Sequence, residues 1–184
     1  MKKYFDSVYV FEPEVYSDHR GFFFQSFDEK ISELLKEEFV QDNHSCSRKN
    51  VIRGLHYQWD QPMGKLIRVV RGRAIDYFVD IREGSPTYGQ YDCVVLTAEN
   101  HKMVWIPEGF AHGFVSLEDD TTVLYKCTAK YNKEGEAGIN PFDPVLNIQW
   151  PIKSKEALMS YKDRKAQSFE EYSKNIKFNY RDKK

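Results

Sequence analysis

An all-β fold, an antiparallel sandwich or barrel, is what this sequence predicts, and three observations predict it. Between Val40 and Lys130 short strand-like segments follow one another at regular spacing, with turn-forming residues between them. Aromatic residues make up 15% of the 184, with 12 Tyr and 13 Phe, which suits the half-buried faces of strands. Helical periodicity is convincing at only one place in the first two thirds of the chain. Many short strands of this kind form a sandwich or a barrel. No linker, repeat or low-complexity tract divides residues 1–184, which are read as one domain.

Taken in order, Ser7–Phe11 is a short alternating strand and Glu12–Gly21 a turn-rich connection holding Pro13 and Asp18-His19-Arg20-Gly21. Phe22–Phe27 reads as a bulky strand. Asp28 is placed to cap a helix over Glu29–Glu38, with Ile31, Leu34 and Leu35 on its apolar face. Strands are then expected at Val40–Ser47, Val51–Gln58, Lys65–Arg71, Ala74–Ile81, Tyr88–Leu96, Lys102–Ile106, Gly113–Ser116 and Thr121–Thr128. Beyond Lys130 the character changes to polar loops, with short helices expected at Lys155–Ser160 and Ser168–Lys174. The basic tail Asn175–Lys184 is expected to fray in part.

Composition narrows the function classes. Net charge is −1, from 27 basic and 28 acidic residues, so no global field favours nucleic acid or an anionic membrane. The three cysteines, Cys46, Cys93 and Cys127, are odd in number and far apart, the pattern of a reducing compartment. The N-terminus lacks a signal-peptide apolar core, and no apolar run approaches membrane-spanning length. A cytoplasmic location is the expectation.

The chemistry concentrates in Gln41–Arg68 (QDNHSCSRKNVIRGLHYQWDQPMGKLIR). Strict alternation in Val51–Gln58 puts Val51, Arg53, Leu55 and Tyr57 on one face and Ile52, Gly54, His56 and Gln58 on the other. In the next strand Lys65, Ile67, Val69 and Arg71 alternate with Leu66, Arg68 and Val70. Arg, His and Lys so close together either line a cavity for something anionic or lie on a half-solvated face. His56 has the ring type for a general base, or for a structural strand histidine. His112, between Gly109 and Gly113, is a ligand contact, a metal ligand or a core histidine. Lys65 and Arg53 suit phosphate or a developing oxyanion, and Tyr125 shares a face with Val123, where it is either functional or core. Five histidines with no H-x-H pair speak against a bound catalytic metal.

Several longer segments carry a resemblance. QDNHS, VIRGLHYQ, KLIRVVRG, DIRxxSPTYG, WIPEGFAHGF, LYKCT, DPxLNIxWP and SYKDR occur here in that order. Together they closely resemble the dTDP-4-dehydrorhamnose 3,5-epimerase family, metal-free cupins acting on nucleotide-linked 4-keto sugars, over about Tyr4 to Glu171. The resemblance implies a jelly-roll (cupin) barrel with a few flanking helices, no cofactor, and a homodimer in which N-terminal strands are exchanged. It further implies His56 as the base, Asp163 as its carboxylate partner, Lys65 beside the 4-keto oxygen and Tyr125 as the acid. Arg20, Gln41, Asn43 and Arg53 match nucleotide or diphosphate contacts, and His112 and Lys162 match substrate-side positions. Tyr131 falls where an aromatic stacks on the base, and Glu136 at a further binding position.

The chain departs from the family pattern at three places. Where R-G-x-F-x-E is usual, residues 20–25 end in Gln25, so a nucleotide-side carboxylate is replaced. The usual Q-A-K-L reads Met63-Gly64-Lys65-Leu66, and Ala129–Gly138 replaces D-Y-Y-A-P-E-x-E-R-G. These changes raise the expectation of an altered donor, such as a GDP-linked sugar or heptose, with epimerisation retained. The competing readings are a 3,4-ketoisomerase and a non-catalytic sugar-nucleotide-binding cupin.

Overall fold

The computed structural model describes residues 1–180. The first elements are β1 (Lys2–Tyr4), β2 (Val8–Phe11), β3 (Tyr16–Asp18), β4 (Gly21–Phe23) and α1 (Glu29–Leu35). The central strands are β5 (Gln41–Ser47), β6 (Ile52–Gln58), β7 (Lys65–Arg71), β8 (Arg73–Asp80), β9 (Arg82–Glu83), β10 (Tyr91–Thr97), β11 (Met103–Ile106), β12 (Phe110–Ser116) and β13 (Thr121–Cys127). Then come β14 (Glu136–Gly138), α2 (Tyr161–Arg164), α3 (Phe169–Ser173) and β15 (Phe178–Asn179). Among the described residues no helix is long and apolar enough to cross a membrane.

Two antiparallel sheets face one another, ordered β1-β2-β11-β7-β13-β5 and β10-β8-β12-β6-β14. Neighbours in each sheet are mostly distant in sequence, the wiring of a jelly roll. Alternation drives the assembly. Ile67, Val69, Val104, Val123 and Val10 from the first sheet meet Ala74, Phe78, Val94, Leu96 and Phe114 from the second in one interior cluster. The outer face of the second sheet is covered by the C-terminal segment, where Leu146, Ile148, Phe169, Tyr172 and Phe178 pack on Leu55, Tyr57, Tyr77 and Val79. The outer face of the first sheet is covered by α1 with Phe27 and Phe39, against Leu66, Met103 and Trp105.

Local chemistry explains most boundaries. Asp28 caps α1 as expected, its Oδ1 accepting from Ile31 N at 3.1 Å. The helix stops at Leu35, short of the expected Glu38, because Lys36 turns left-handed at φ 57°. Ile31 and Leu35 pack on the sheet, but Leu34 is exposed and so does not belong to the buried stripe. The strand expected over Phe22–Phe27 shrinks to β4, paired only with β3 in an isolated two-stranded hairpin. Phe22 and Phe24 meet the His101 ring instead of a sheet, at 4.6 and 4.9 Å.

The helix expected at Lys155–Ser160 does not form. Leu158 lies extended in a parallel bridge with Val51, donating to Asn50 O and accepting from Ile52 N. Backbone committed to that bridge cannot also serve a helix. A short helix begins instead at Tyr161, just past the end of the expected span, with Ser160 as its cap. The expectation for Ser168–Lys174 holds as α3, closed by a reciprocal Ser168/Glu171 capping box. The tail is tied down through β15, which pairs with β9, and residues 181–184 lie outside the described residues.

Candidate active site

One end of the barrel interior is open, as a cavity of about 410 Å³ whose apolar floor is Ile67, Phe114 and Val123. Arg53, His56, Lys65, His112, Tyr125, Tyr131, Glu136, Lys162 and Asp163 line it, together with Ser45 and Ser160. Most of the residues singled out from sequence are therefore brought together, and the cavity reading of the Arg, His and Lys cluster prevails over the half-solvated face.

Strict alternation would have kept Arg53 and His56 on opposite faces, and that expectation is wrong. Phe114 pairs with Arg53, whereas His112 pairs with His56, so a step of two residues on β12 spans three on β6. The extra residue is a β-bulge that restarts the alternation, putting Arg53 and His56 on the cavity side and Leu55 and Tyr57 in the outer cluster. Glycine is required at the bulge. Gly54 has φ +134°, and a Cβ there would sit 2.5 Å from Gly113 Cα.

His56 is bound to Asp163, Nε2 to Oδ1 at 2.6 Å. The first turn of α2 aims that carboxylate, with Asp163 N donating to Ser160 Oγ at 3.0 Å. Burial pushes the Asp163 carboxyl up, but the hydrogen bond and charge of His56, with further bonds from Ser160 and Gly54, hold it below the usual range overall. With Nε2–H donated to Asp163, the lone pair belongs to Nδ1.

Tyr125 and Lys65 enter from the facing sheet. The alternation of β13 puts Val123 and Tyr125 on the cavity side together, as expected. Burial raises the Tyr125 hydroxyl above its ordinary pKa, so it stays a proton donor at neutral pH, and Asn43 bonds to it. Burial lowers Lys65, opposed in part by the charges of Cys127, Asp76 and Glu136. His112 is bound to Asp76, Nε2 to Oδ2 at 2.9 Å, and its pKa is lowered by burial despite that partner.

The mouth is built by hydrogen bonds between segments. Arg53 Nε donates to Ser47 Oγ at 3.1 Å. Gln41 Nε2 donates to Asn43 Oδ1 at 3.0 Å, and Gln41 Oε1 accepts from Tyr131 N at 2.9 Å. Glu136 takes Tyr131 OH at 2.8 Å and the Lys162 ammonium on one carboxylate oxygen. Arg20 and Gln25 are not brought to this cavity within the chain. Arg20 is paired with Asp18 at the tip of the β3–β4 hairpin, and Gln25 borders a groove between that hairpin and α1.

Sequence reasoning missed Asp76 and the capping role of Ser160. Asp76 interrupts an otherwise apolar run from Ala74 to Val79, a signal that a buried acid needs a partner. Ser160 and Asp163 have the S-x-x-D spacing of a helix cap. Among the described residues no group of three or more His, Cys, Asp or Glu side chains is arranged to hold a metal ion.

Comparison with known proteins identifies the family. The family model described as dTDP-4-dehydrorhamnose 3,5-epimerase matches residues 2–171. A dTDP-4-dehydrorhamnose 3,5-epimerase from Shigella flexneri is 49% identical over 88% of this chain and 91% of its own length. A Legionella pneumophila dTDP-6-deoxy-D-glucose-3,5-epimerase, solved with dTDP-4-keto-L-rhamnose, superposes with TM-score 0.90 at 44% identity, over 95% of this chain and 94% of that one. A 3'-monoepimerase from Streptomyces bikiniensis, solved with dTDP-quinovose, gives TM-score 0.88 at 33% identity, covering 95% and 90%. The chain belongs to the dTDP-4-dehydrorhamnose 3,5-epimerase family, with its cupin-type jelly roll.

Proposed function

We propose that this protein inverts C3 and C5 of dTDP-4-keto-6-deoxy-D-glucose, giving dTDP-4-keto-L-rhamnose in the cytoplasm without a cofactor. The observation that carries the reading is the opposition across one cavity of His56, on one sheet and bound to Asp163 of α2, and Tyr125 with Lys65, on the other sheet. Hydrogens at C3 and C5 are acidic because each flanks the 4-keto group. His56 takes one as a proton, and the C–H electron pair moves into the ring to give an enolate on the 4-oxygen. Asp163 holds the resulting imidazolium. Lys65 faces the enolate oxygen, a form of stabilisation worth on the order of 3 kcal/mol per donor. Tyr125 then delivers a proton to the opposite face of the carbon, and solvent exchange resets both groups. Acid–base catalysis of this kind contributes roughly 10²–10⁴-fold.

Arg53 and Lys162 have the charge and position for the diphosphate, and Tyr131 presents an exposed ring for the base. Arg20 and Gln25 would reach a nucleotide only from a second copy. The β3–β4 hairpin, which pairs with no other strand and has Tyr16, Phe22 and Phe23 58, 61 and 66% exposed, suits strand exchange in a homodimer. The dTDP-sugars for which the relatives are named, or with which they were solved, favour a dTDP donor over the GDP-linked one raised by the sequence departures.

Incubation in deuterium oxide tests the proposal, with mass spectrometry of dTDP- and GDP-linked 4-keto-6-deoxy sugars. Two deuterons in the dTDP sugar are expected. One deuteron would reduce the reaction to a single centre, and binding without exchange would leave a non-catalytic module.

A further inference from the structure

Two carboxylates line the cavity beside Arg53, Lys65 and Lys162: Asp163, which is bound to His56, and Glu136. Glu136 Oε2 is occupied twice, by Tyr131 OH at 2.8 Å and by Lys162 Nζ. The three residues lie on three segments around the mouth: the loop after β13, β14 and α2. Burial pushes the Glu136 carboxyl up, but the bonds from Lys162 and Tyr131 bring it below the usual range overall, so it is ionised at neutral pH. The Lys162 side chain is 56% exposed on a flexible four-carbon stem, whereas Glu136 is only 19% exposed. A carboxylate oxygen and a phosphate oxygen are equivalent partners for an ammonium.

We propose that Glu136 is an internal stand-in for the ligand's anion, holding Lys162 at the mouth until a diphosphate oxygen takes its place. The exchange turns the Lys162 ammonium towards the ligand and frees the Tyr131 hydroxyl. Without ligand, Glu136 keeps a mobile cation ordered and close to where it is needed. With ligand, it is a competitor that lowers affinity. The inference rests on reading the cavity as a nucleotide-sugar site, but its test needs no turnover. Wild-type protein that binds pyrophosphate and fails the deuterium assay would leave it standing.

Calorimetric titration with inorganic pyrophosphate at neutral pH tests it, on wild type, Glu136→Gln, Lys162→Met and the double variant. Glutamine keeps an acceptor for Tyr131 OH but not the charge that competes for Lys162. Glu136→Gln is expected to tighten binding roughly two- to fivefold, the scale of a partly exposed ion pair. Lys162→Met is expected to weaken binding, and in its background Glu136→Gln is expected to give no gain. No gain in the single variant overturns the exchange, as does a gain of equal size without Lys162, which would be repulsion at a distance. A crystal structure of the wild type with pyrophosphate gives an independent reading. Lys162 on a phosphate oxygen supports the proposal, and Lys162 still on Glu136 overturns it.

Discussion

The cavity contains two histidine–aspartate pairs, and they are built differently. His56 and His112 occupy paired positions on adjacent strands, β6 and β12. The partner of His56 comes from α2, 107 residues away in sequence, and is held by Ser160 and the Gly54 backbone as well. The partner of His112 lies within the same sheet on β8, is fully buried, and has one oxygen, Oδ1, without a hydrogen bond. The His56 side chain is 27% exposed and that of His112 12%. A ring that must gain and lose a proton needs a well-solvated or well-bonded counter-charge, which Asp163 has. A ring under-supported by its partner and pressed by burial stays neutral, and serves as a fixed donor or acceptor. The two pairs thus look alike in composition and differ in the work they are suited to.

The largest expected contrast is in turnover of the dTDP-linked 4-keto sugar. His56→Ala is expected to lower kcat by on the order of 10³–10⁴, and His112→Ala by only about tenfold, measured by deuterium exchange. Equal losses would erase the distinction between the pairs. Gly54→Ala attacks the bulge that puts His56 beside His112. With its Cβ 2.5 Å from Gly113 and φ at +134°, it is expected to cost about 3 kcal/mol in urea unfolding. A near-neutral result would mean that the bulge does not depend on glycine.

The partners sharpen the comparison further. Asp163→Asn is expected to cost roughly 100-fold in kcat and Asp76→Asn roughly tenfold, the range for groups that orient a functional ligand. The smallest effect is in the pH dependence of stability. His112 titrates below 6.5 in the folded protein, so the unfolded chain takes up the proton first. Its contribution is complete above about pH 6.5 and declines as pH falls towards the folded value. Asp163 is depressed below 3.8, so its contribution is kept at those pH values and lost only in stronger acid. Tm is expected to fall by a few degrees between pH 7 and pH 5. His112→Asn should flatten that slope, and a slope left unchanged would assign it elsewhere.

Much of this site was legible before the fold. Alternation alone put Tyr125 with Val123, and Lys65 with Ile67, and both pairs do face the cavity. Asp163 was legible as a tail residue for the cavity mouth, but its pairing with His56 came only through family resemblance, because nothing local to S-Y-K-D-R points to a histidine 107 residues earlier. Asp76 was overlooked because it lies in a strand that reads as core. Arg20 was legible as a nucleotide contact by the same resemblance, yet a single chain leaves it at the hairpin tip on Asp18.

The amino-acid order settled what depends on near neighbours: the β-rich class, the alternation of β13 and β7, and the caps at Asp28 and Ser168. These follow from side-chain geometry within a few residues. Three features were decided by distant backbone. The register against β12 inserts the bulge that unites Arg53 with His56, Val51 draws Leu158 out of a helix, and α2 carries Asp163 to His56. Each is a choice between local options of similar cost, made by a hydrogen bond or a steric limit from another part of the chain, which no short window of sequence contains.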